Sequence, residues 1–320
     1  MVLAPFSIAG RHVLVTGGAG FIGSHLVDAL LARGAGRVTI VDSMRFANEH
    51  HATLARDRVD VHRFRLGFDP VEKLAPALAG VELAFHLAAE KHNQSLATPA
   101  ELLVSNVEGT RALYEALARA GCRKIVFSSS LYAYGRVAGA RLVEGEPTPP
   151  WTLYGISKLA GEHLGGHARH EWGLHAVALR YFFTYGPRQF PGTGYKSVIV
   201  ANFERLRRGE APIINGDGMQ ALDYVYVDDV VDATIRAMES SLDGEVLNVG
   251  SGAATTIEAL TREMLAVTGS KLTHVHGPSD WTENTSRVAD VAKIGNALGW
   301  RATTPLAEGL RRTFEWVSRG

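Results

Sequence analysis

A single cysteine, Cys122, stands among 320 residues. No disulfide can therefore close within the chain, and a reducing compartment is its natural setting. Net charge is missing as well, because 33 basic residues meet 33 acidic ones. That balance leaves no global field to draw the chain to nucleic acid or to an anionic membrane. Apolar runs stay short of the roughly 20 residues that a membrane-spanning helix needs. The opening stretch MVLAPFSIAGRH is too short and too broken to read as a secretory signal. Histidine and cysteine do not cluster at metal-ligand spacing, and HVHGPSD (274–280) lacks companion ligands, so no metal is expected. Internal repeats and low-complexity tracts are also absent. These exclusions leave a cytoplasmic protein whose expected partner is a small molecule.

What is present is a set of apolar runs bounded by glycine or charge: RHVLVTG (11–17), RVTIVD (37–42), VELAFHLAA (81–89), RKIVFSSS (123–130) and LHAVALRYF (174–182). Such runs read as parallel strands buried on both faces. Between them, FIGSHLVDALLARG and ELLVSNVEGTRALYEALARAG repeat apolar residues at helical spacing. Strand alternating with helix predicts a Rossmann-like, doubly wound α/β sheet. Past residue 182 the pattern loosens into a helix near 197–208, a strand near 245–248 and further helices. The expected division is a nucleotide-binding domain over 1–182, joined by 224–250, with a smaller, partly interleaved substrate-binding region over 183–223 and 251–320. PTPP (147–150) reads as a turn into a helix over 153–171.

The first strand runs into TGGAGFIG, which sets Gly17, Gly20 and Gly23 at a strand-to-helix turn. Their separate tasks are a tight turn, close backbone approach to a pyrophosphate, and close packing of helix on strand. The helix start then offers free N–H groups to phosphate. At the tip of the second strand, Asp42 can accept hydrogen bonds from the ribose hydroxyls of an adenosine and would repel a 2′-phosphate. NAD is thus favoured over NADP, while Arg45, three residues on, keeps the phosphorylated form open, as does the reading of Asp42 as a solvated turn residue.

YGISK (154–158) places Tyr154 and Lys158 on one helical face. An ammonium beside a phenol stabilises the phenolate and is expected to lower its pKa, which makes the tyrosine a usable general base. Upstream, a strand ends in Ser128, Ser129 and Ser130, where the crevice of an open α/β sheet lies. A hydroxyl there can hydrogen-bond a reacting oxygen. The spacing alone also fits an ordinary half-exposed helix face.

TGGAGFIG, Asp42, HLAA (86–89), NVEGT (106–110), SSSLYAYG (128–135), YGISK, LRYF, YGPRQ (185–189), YVYVDDVVDA (224–233) and NVGSG (248–252) occur in the order typical of extended short-chain dehydrogenases. The chain resembles, in particular, the NAD-dependent sugar epimerase/dehydratase group, over nearly its whole length. The resemblance implies Tyr154 as acid/base, Lys158 as its activator and ribose anchor, and Ser130 as the hydroxyl that orients substrate. It implies NAD contacts along the glycine turn, with Phe21 and Ile22, and at Leu87, Ala88, Ala89 and Ser128. It further implies that Asn106 supports the active-site helix, that Tyr181 lies near the nicotinamide, and that helices near 100–119 and 153–171 pack into a homodimer.

Several positions depart from the group's pattern. Phe183 replaces the asparagine of LRYFN, Asn215 replaces the aromatic before GDG, Leu222 replaces the arginine of QTRDF, and Asp280 stands where a second phosphate arginine is usual. Losing bidentate phosphate recognition removes some of the strongest hydrogen bonds available. Lys196, Arg188 and Arg287 are candidate replacements, although each also fits a solvated surface base. The adenine-contacting aspartate expected after the third strand is not evident in RLGFDP (65–70). Dehydratases of the group carry an Asp-Glu pair after the catalytic hydroxyl, where this chain has Leu131 and Tyr132. Yet AAEKHNQS (88–95) is similar to the dehydratase stretch, which makes Glu90, His92 and Ser95 candidates to face the substrate.

The leading expectation is an NAD-dependent epimerase acting at C4 of a nucleotide-activated sugar through a transient 4-keto intermediate. The alternatives are a dehydratase, a dehydrogenase or reductase whose substrate lacks the nucleotide diphosphate, or a catalytically silent NAD-binding regulator.

Overall fold

A computed structural model describes residues 4–45, 56–135, 141–189, 196–279 and 285–319. Asp280 lies outside the described residues, as does the side chain of Ser95.

The first part of the chain runs β1 (His12–Thr16), α1 (Phe21–Ala32), β2 (Arg37–Asp42), β3 (Val59–Arg63), α2 (Ala75–Leu78), β4 (Leu83–His86), α3 (Gln94–Ala97), α4 (Pro99–Leu103), α5 (Gly109–Arg119), β5 (Lys124–Ser130), α6 (Leu153–Trp172) and β6 (His175–Tyr181). The rest comprises β7 (Phe183–Tyr185), α7 (Val198–Arg207), β8 (Ile213–Asn215), β9 (Ala221–Leu222), β10 (Tyr224–Tyr226), α8 (Val227–Glu239), β11 (Glu245–Val249), β12 (Thr255–Thr256), α9 (Ile257–Thr268), β13 (Val275–Gly277), β14 (Ser286–Arg287), α10 (Ala292–Leu298) and α11 (Leu306–Arg319).

Seven strands form one parallel sheet in the order β11-β6-β5-β4-β1-β2-β3. Alternate residues of the buried strands feed opposite layers. Val13 and Val15 join Leu26, Leu30, Val230 and Ile235 of α1 and α8 on one face. Leu14, Ala84 and Ile125 join Leu113 and Leu117 of α5 on the other. The strand order reverses between β1 and β4, the place where an open α/β sheet leaves a crevice at its carboxyl edge.

Two features differ from the sequence expectation. The outer strand β3 reads VDVHR and leaves residues partly or well exposed along its length, so no apolar run marks it. The helical stretch expected over 101–121 is interrupted by a π-helical turn at Val104–Glu108, the kind of local widening that re-aims side chains at functional sites.

Helix α8 is fastened to the sheet by a buried lysine. Lys124 donates to the carbonyls of Ala237 (2.8 Å) and Ser240 (2.7 Å) at the helix end, where a cation meets the negative end of the helix dipole. Burial pushes this ammonium down to about 8. The smaller strands form three separate sheets, β10-β7, β12-β9-β14 and β13-β8. They pack around Tyr185, Phe203, Ile214, Leu222, Leu260 and Leu310. Asp223, between β9 and β10, is fully buried and joins three segments. Its carboxylate accepts from Ser251 N (2.7 Å), Ser251 Oγ (2.6 Å), Gly252 N (2.9 Å) and Ala289 N (3.1 Å).

Replacing Asp223 by Asn turns an acceptor-only group into one with donors facing donors. We expect Asp223→Asn to lower the free energy of urea unfolding by about 2–4 kcal/mol, with the midpoint shifted and the slope unchanged.

Candidate active site

A cleft of about 350 Å³ opens at the switch point, with Gly17, Asp42, Ala88, Ser130, Tyr154 and Lys158 among its lining residues. At its floor β1 and β4 approach so closely that a side chain is excluded. Gly17 has φ +71°, and a Cβ there would lie 2.7 Å from Ala88 N. Helix α1 starts next to it with no side-chain cap and no acidic residue in its first turn. Its first N–H groups therefore lack helical partners and face the crevice as a phosphate cradle.

Asp42 ends β2 and lines the same cleft. Its carboxylate accepts from Met44 N (2.8 Å) and Ala19 N (3.2 Å), which fixes its direction. Burial lifts its carboxyl above the ordinary range, and those two hydrogen bonds pull the other way. Arg45 does not turn toward Asp42. Its guanidinium meets Glu90 at 2.7 Å and Glu101 at 3.5 Å, and Arg65 also pairs with Glu101. A cation so engaged is a poor receptor for a 2′-phosphate, and the cradle with its carboxylate fits an unphosphorylated dinucleotide.

The HLAA segment is held by a relay. Thr110 Oγ1 donates to Asn106 O (2.6 Å), so it can only accept from His86 Nε2–H (2.9 Å). Nδ1 then accepts from Thr16 Oγ1 at 2.7 Å, and Thr16 Oγ1 in turn accepts from Ala88 N at 3.2 Å. Burial, with the nearby charge of Lys158, drives His86 down to about 3, so the ring is neutral at working pH. The π-helical turn aims Asn106 at the same loop. Its amide takes Glu90 N (2.7 Å) and gives to Glu90 O (2.9 Å) and to Ser157 Oγ (3.1 Å). Asn106 thereby ties loop 88–91 to α6.

Helix α6 begins with Thr152 accepting from Gly155 N at 3.0 Å. Gly155 is required by close approach, since a Cβ would sit 2.3 Å from the carbonyl oxygen of Tyr132. That contact sets the helix start against the end of β5, and Tyr154 and Ser130 become hydrogen-bonding neighbours. Lys158, one turn on, is buried and donates to Ser128 O at 2.7 Å, with its Nζ 5.7 Å from the Tyr154 ring centre and 5.0 Å from that of Phe127.

The expectation of a lowered phenol pKa is not met. Burial pushes Tyr154 up to about 12, with the Ser130 hydrogen bond opposing, and pushes the Lys158 ammonium down to about 7, with Glu162 opposing. Desolvation outweighs these opposing interactions because each group would have to carry its charge without water.

The other sequence candidates divide. Phe21, Ile22, Gly20, Gly23, Leu87, Ala89, Ser128 and Tyr181 line the cleft. The hydroxyl of Tyr181 is turned away onto Thr234 at 2.7 Å. Glu90 also lines it, but its carboxylate is held by Arg45. His92 stands outside, tilted against Tyr132 with ring centres 5.0 Å apart; burial, then Arg287, lowers its pKa. Tyr132 in turn meets Tyr154 edge-on at 5.4 Å. Phe183 packs on Tyr224, Leu222 belongs to the smaller core, and Asn215 is exposed on β8. Lys196 is paired with Glu204, and Arg188, on the rim, with Asp28 at 2.7 Å. Arg287 is buried, register partner of Leu222. Sequence reasoning did not single out Phe64, Leu66 or Thr184, which line the cleft. They carry no motif, and only the packing of β3 and β7 brings them in.

Comparison with known proteins agrees with this geometry. Residues 13–250 match the NAD dependent epimerase/dehydratase family. The chain is 36% identical over 319 residues to a UDP-glucose 4-epimerase of Mycolicibacterium smegmatis, spanning 95% of this chain and 98% of that one. It is 32% identical over 315 residues to a dTDP-glucose 4,6-dehydratase of Streptomyces griseus, spanning 96% and 94%. Its fold is similar to the crystal structure of the Thermotoga maritima UDP-glucose 4-epimerase with UDP-glucose, at a TM-score of 0.90, 36% identity and coverage of 97% and 99%.

Asp42→Ala removes the acceptor at the end of β2 and frees the 42–44 turn. We expect calorimetric affinity for NAD to fall about tenfold or more, with affinity for NADP falling less.

Proposed function

The chain belongs to the NAD dependent epimerase/dehydratase family, and from that premise we propose that it epimerises a nucleotide-activated sugar at C4. The observation that carries this reading is the Ser130–Tyr154–Lys158 group lining the dinucleotide cleft, with Ser130 and Lys158 buried and Tyr154 half-buried, followed by Leu131 and Tyr132 rather than by carboxylates. When bound, NAD supplies a hydride acceptor and donor. Tyr154 accepts the proton of the C4 hydroxyl and later returns it, and Ser130 holds the C4 oxygen by hydrogen bond throughout. Lys158 supplies positive charge beside the phenol and a hydroxyl-binding ammonium toward the ribose. The walls of the cleft exclude water while the 4-keto sugar turns over.

A dehydratase needs a second acid and base to remove the C6 oxygen. Beside Ser130 this chain offers the apolar Leu131, which is buried, and Tyr132, packed between His92 and Tyr154. A second reading, oxidation or reduction of a substrate without a diphosphate, draws support from Lys196 and Arg188, each already engaged by an acid.

In this reading residues 1–182 with 224–250 carry the nucleotide, and 183–223 with 251–320 close over the sugar. We further propose a cytoplasmic homodimer. Among the described residues no helix is long and apolar enough to cross a membrane, and Cys122 is a free buried thiol. Leu103, Val104, Trp151 and Ile156 expose apolar side chains along α4 and the start of α6, where a second copy would cover them.

Two experiments test this. Incubated with a panel of UDP- and dTDP-sugars, the protein should interconvert C4 epimers with no net rise in nicotinamide absorbance, and Tyr154→Phe should cut kcat at least about a hundredfold while NAD still binds. Stoichiometric NADH would instead support the dehydrogenase. Ile156→Glu should shift sedimentation from dimer to monomer; a monomeric parent chain would refute the dimer.

A further inference from the structure

Helix α6 carries a second buried charge one turn beyond Lys158. Glu162 forms a bidentate pair with Arg180 of β6, at 2.9 Å to Nε and 2.8 Å to Nη2, and both side chains are almost fully buried. Ser129 donates its hydroxyl to the same carboxylate. Arg180 lies over the ring of Tyr134, 4.5 Å from its centre, and Tyr134 donates to Asn248 at 2.8 Å.

The placement relative to Lys158 is specific. Residues four apart on a helix are neighbours on one face. Lys158 and Glu162 also engage consecutive residues of β5, the ammonium on the carbonyl of Ser128 and the carboxylate on the hydroxyl of Ser129. Among the described residues, Tyr154 on its own helix and His86 on β4 interact with Lys158, whereas Tyr114 on α5 and Arg180 on β6 interact with Glu162. His86 is neutral, and burial raises the Tyr114 and Tyr154 phenols above their ordinary range. Arg180 reaches the carboxylate from β6, with its guanidinium over Tyr134. Glu162, one helical turn from Lys158, is the negative charge that opposes the effect of burial on the ammonium. A buried ion pair contributes little to stability compared with apolar residues of the same volume, so stability alone is a weak account of this one.

Resting on the catalytic role given to Lys158 above, we propose that Glu162 is a positioning residue for the charge on Lys158: its carboxylate, anchored by Arg180 and Ser129, keeps the neighbouring ammonium protonated in a site without water. Glu162 touches neither substrate nor cofactor and acts only through Lys158.

The test reads the lysine directly and needs no substrate. In protein carrying 13C,15N-lysine, the Lys158 side-chain signal, assigned by its loss in Lys158→Met, is followed against pH. The parent chain should titrate near 7. In Glu162→Gln the midpoint should fall by about half a pH unit or more, whereas Glu162→Asp, which keeps the charge, should remain near the parent value. The double variant Glu162→Gln with Arg180→Met removes both charges without stranding either, and should also titrate below the parent. If turnover is found, its loss on the alkaline side should move to lower pH in both charge-removed variants with KM little changed, because the active form is the protonated lysine. An unmoved midpoint in folded Glu162→Gln or in the double variant overturns the inference. So does failure of both to fold, since the pair would then be structural. Should no nucleotide sugar turn over while the midpoint still falls, the epimerase reading fails and this one stands.

Discussion

A lysine ammonium held out of water organises this structure. Lys158 can keep its charge only where its hydrogen bonds are met by groups already fixed in place, and desolvation alone drives it toward neutrality. The carbonyl of Ser128, the end of a buried central strand, supplies one such group at 2.7 Å. Satisfying it requires α6 to lie tight on β5, and Gly155 permits that approach where any side chain would strike Tyr132. Once the helix is so placed, Tyr154 has no freedom to stand anywhere but beside Ser130. The geometry of the candidate site here follows from the cost of burying a cation.

The other end of the cleft is built from backbone. Gly17 lets the backbone after β4 approach that after β1, the start of α1 brings N–H donors, and Asp42 closes the row with a carboxylate whose direction is set by two main-chain N–H groups. Asn106 links the two ends, since a single side chain holds both the Glu90 main chain and Ser157 of α6. A shift of the loop would therefore be felt at the helix that carries Tyr154 and Lys158. The rigid frame suits the proposed epimerisation, in which an oxidised sugar must stay in place between two hydride steps.

Much of this was legible in the sequence, for identifiable reasons. Buried parallel strands leave uninterrupted apolar runs, so β1, β2, β4, β5 and β6 were visible, and β3, half exposed at the sheet edge, was not. A glycine turn after a strand has few other uses, and helical spacing alone brings Tyr154 and Lys158 to one face. The engagement of Arg45 by Glu90, and of Lys196 by Glu204, could not be read, because partners far apart or on a different turn of chain are chosen by packing. The π-helical turn that aims Asn106 also leaves no mark, since its residues lie within a stretch whose apolar spacing simply reads as helix.

By itself the sequence determined most of the order of strands and helices, the dinucleotide crevice and the candidates for reacting side chains, because these depend on periodicity and on chemistry carried by single residues. Tertiary structure decided the protonation of those side chains and the use of the charges around them. Burial reversed the expectation for Tyr154 and neutralised His86, while packing paired Glu162 with Arg180 and Ser129. Periodicity is a property of neighbours along the chain, whereas the energy of a charge depends on every dipole, partner and water molecule within several ångströms, and only folding selects those.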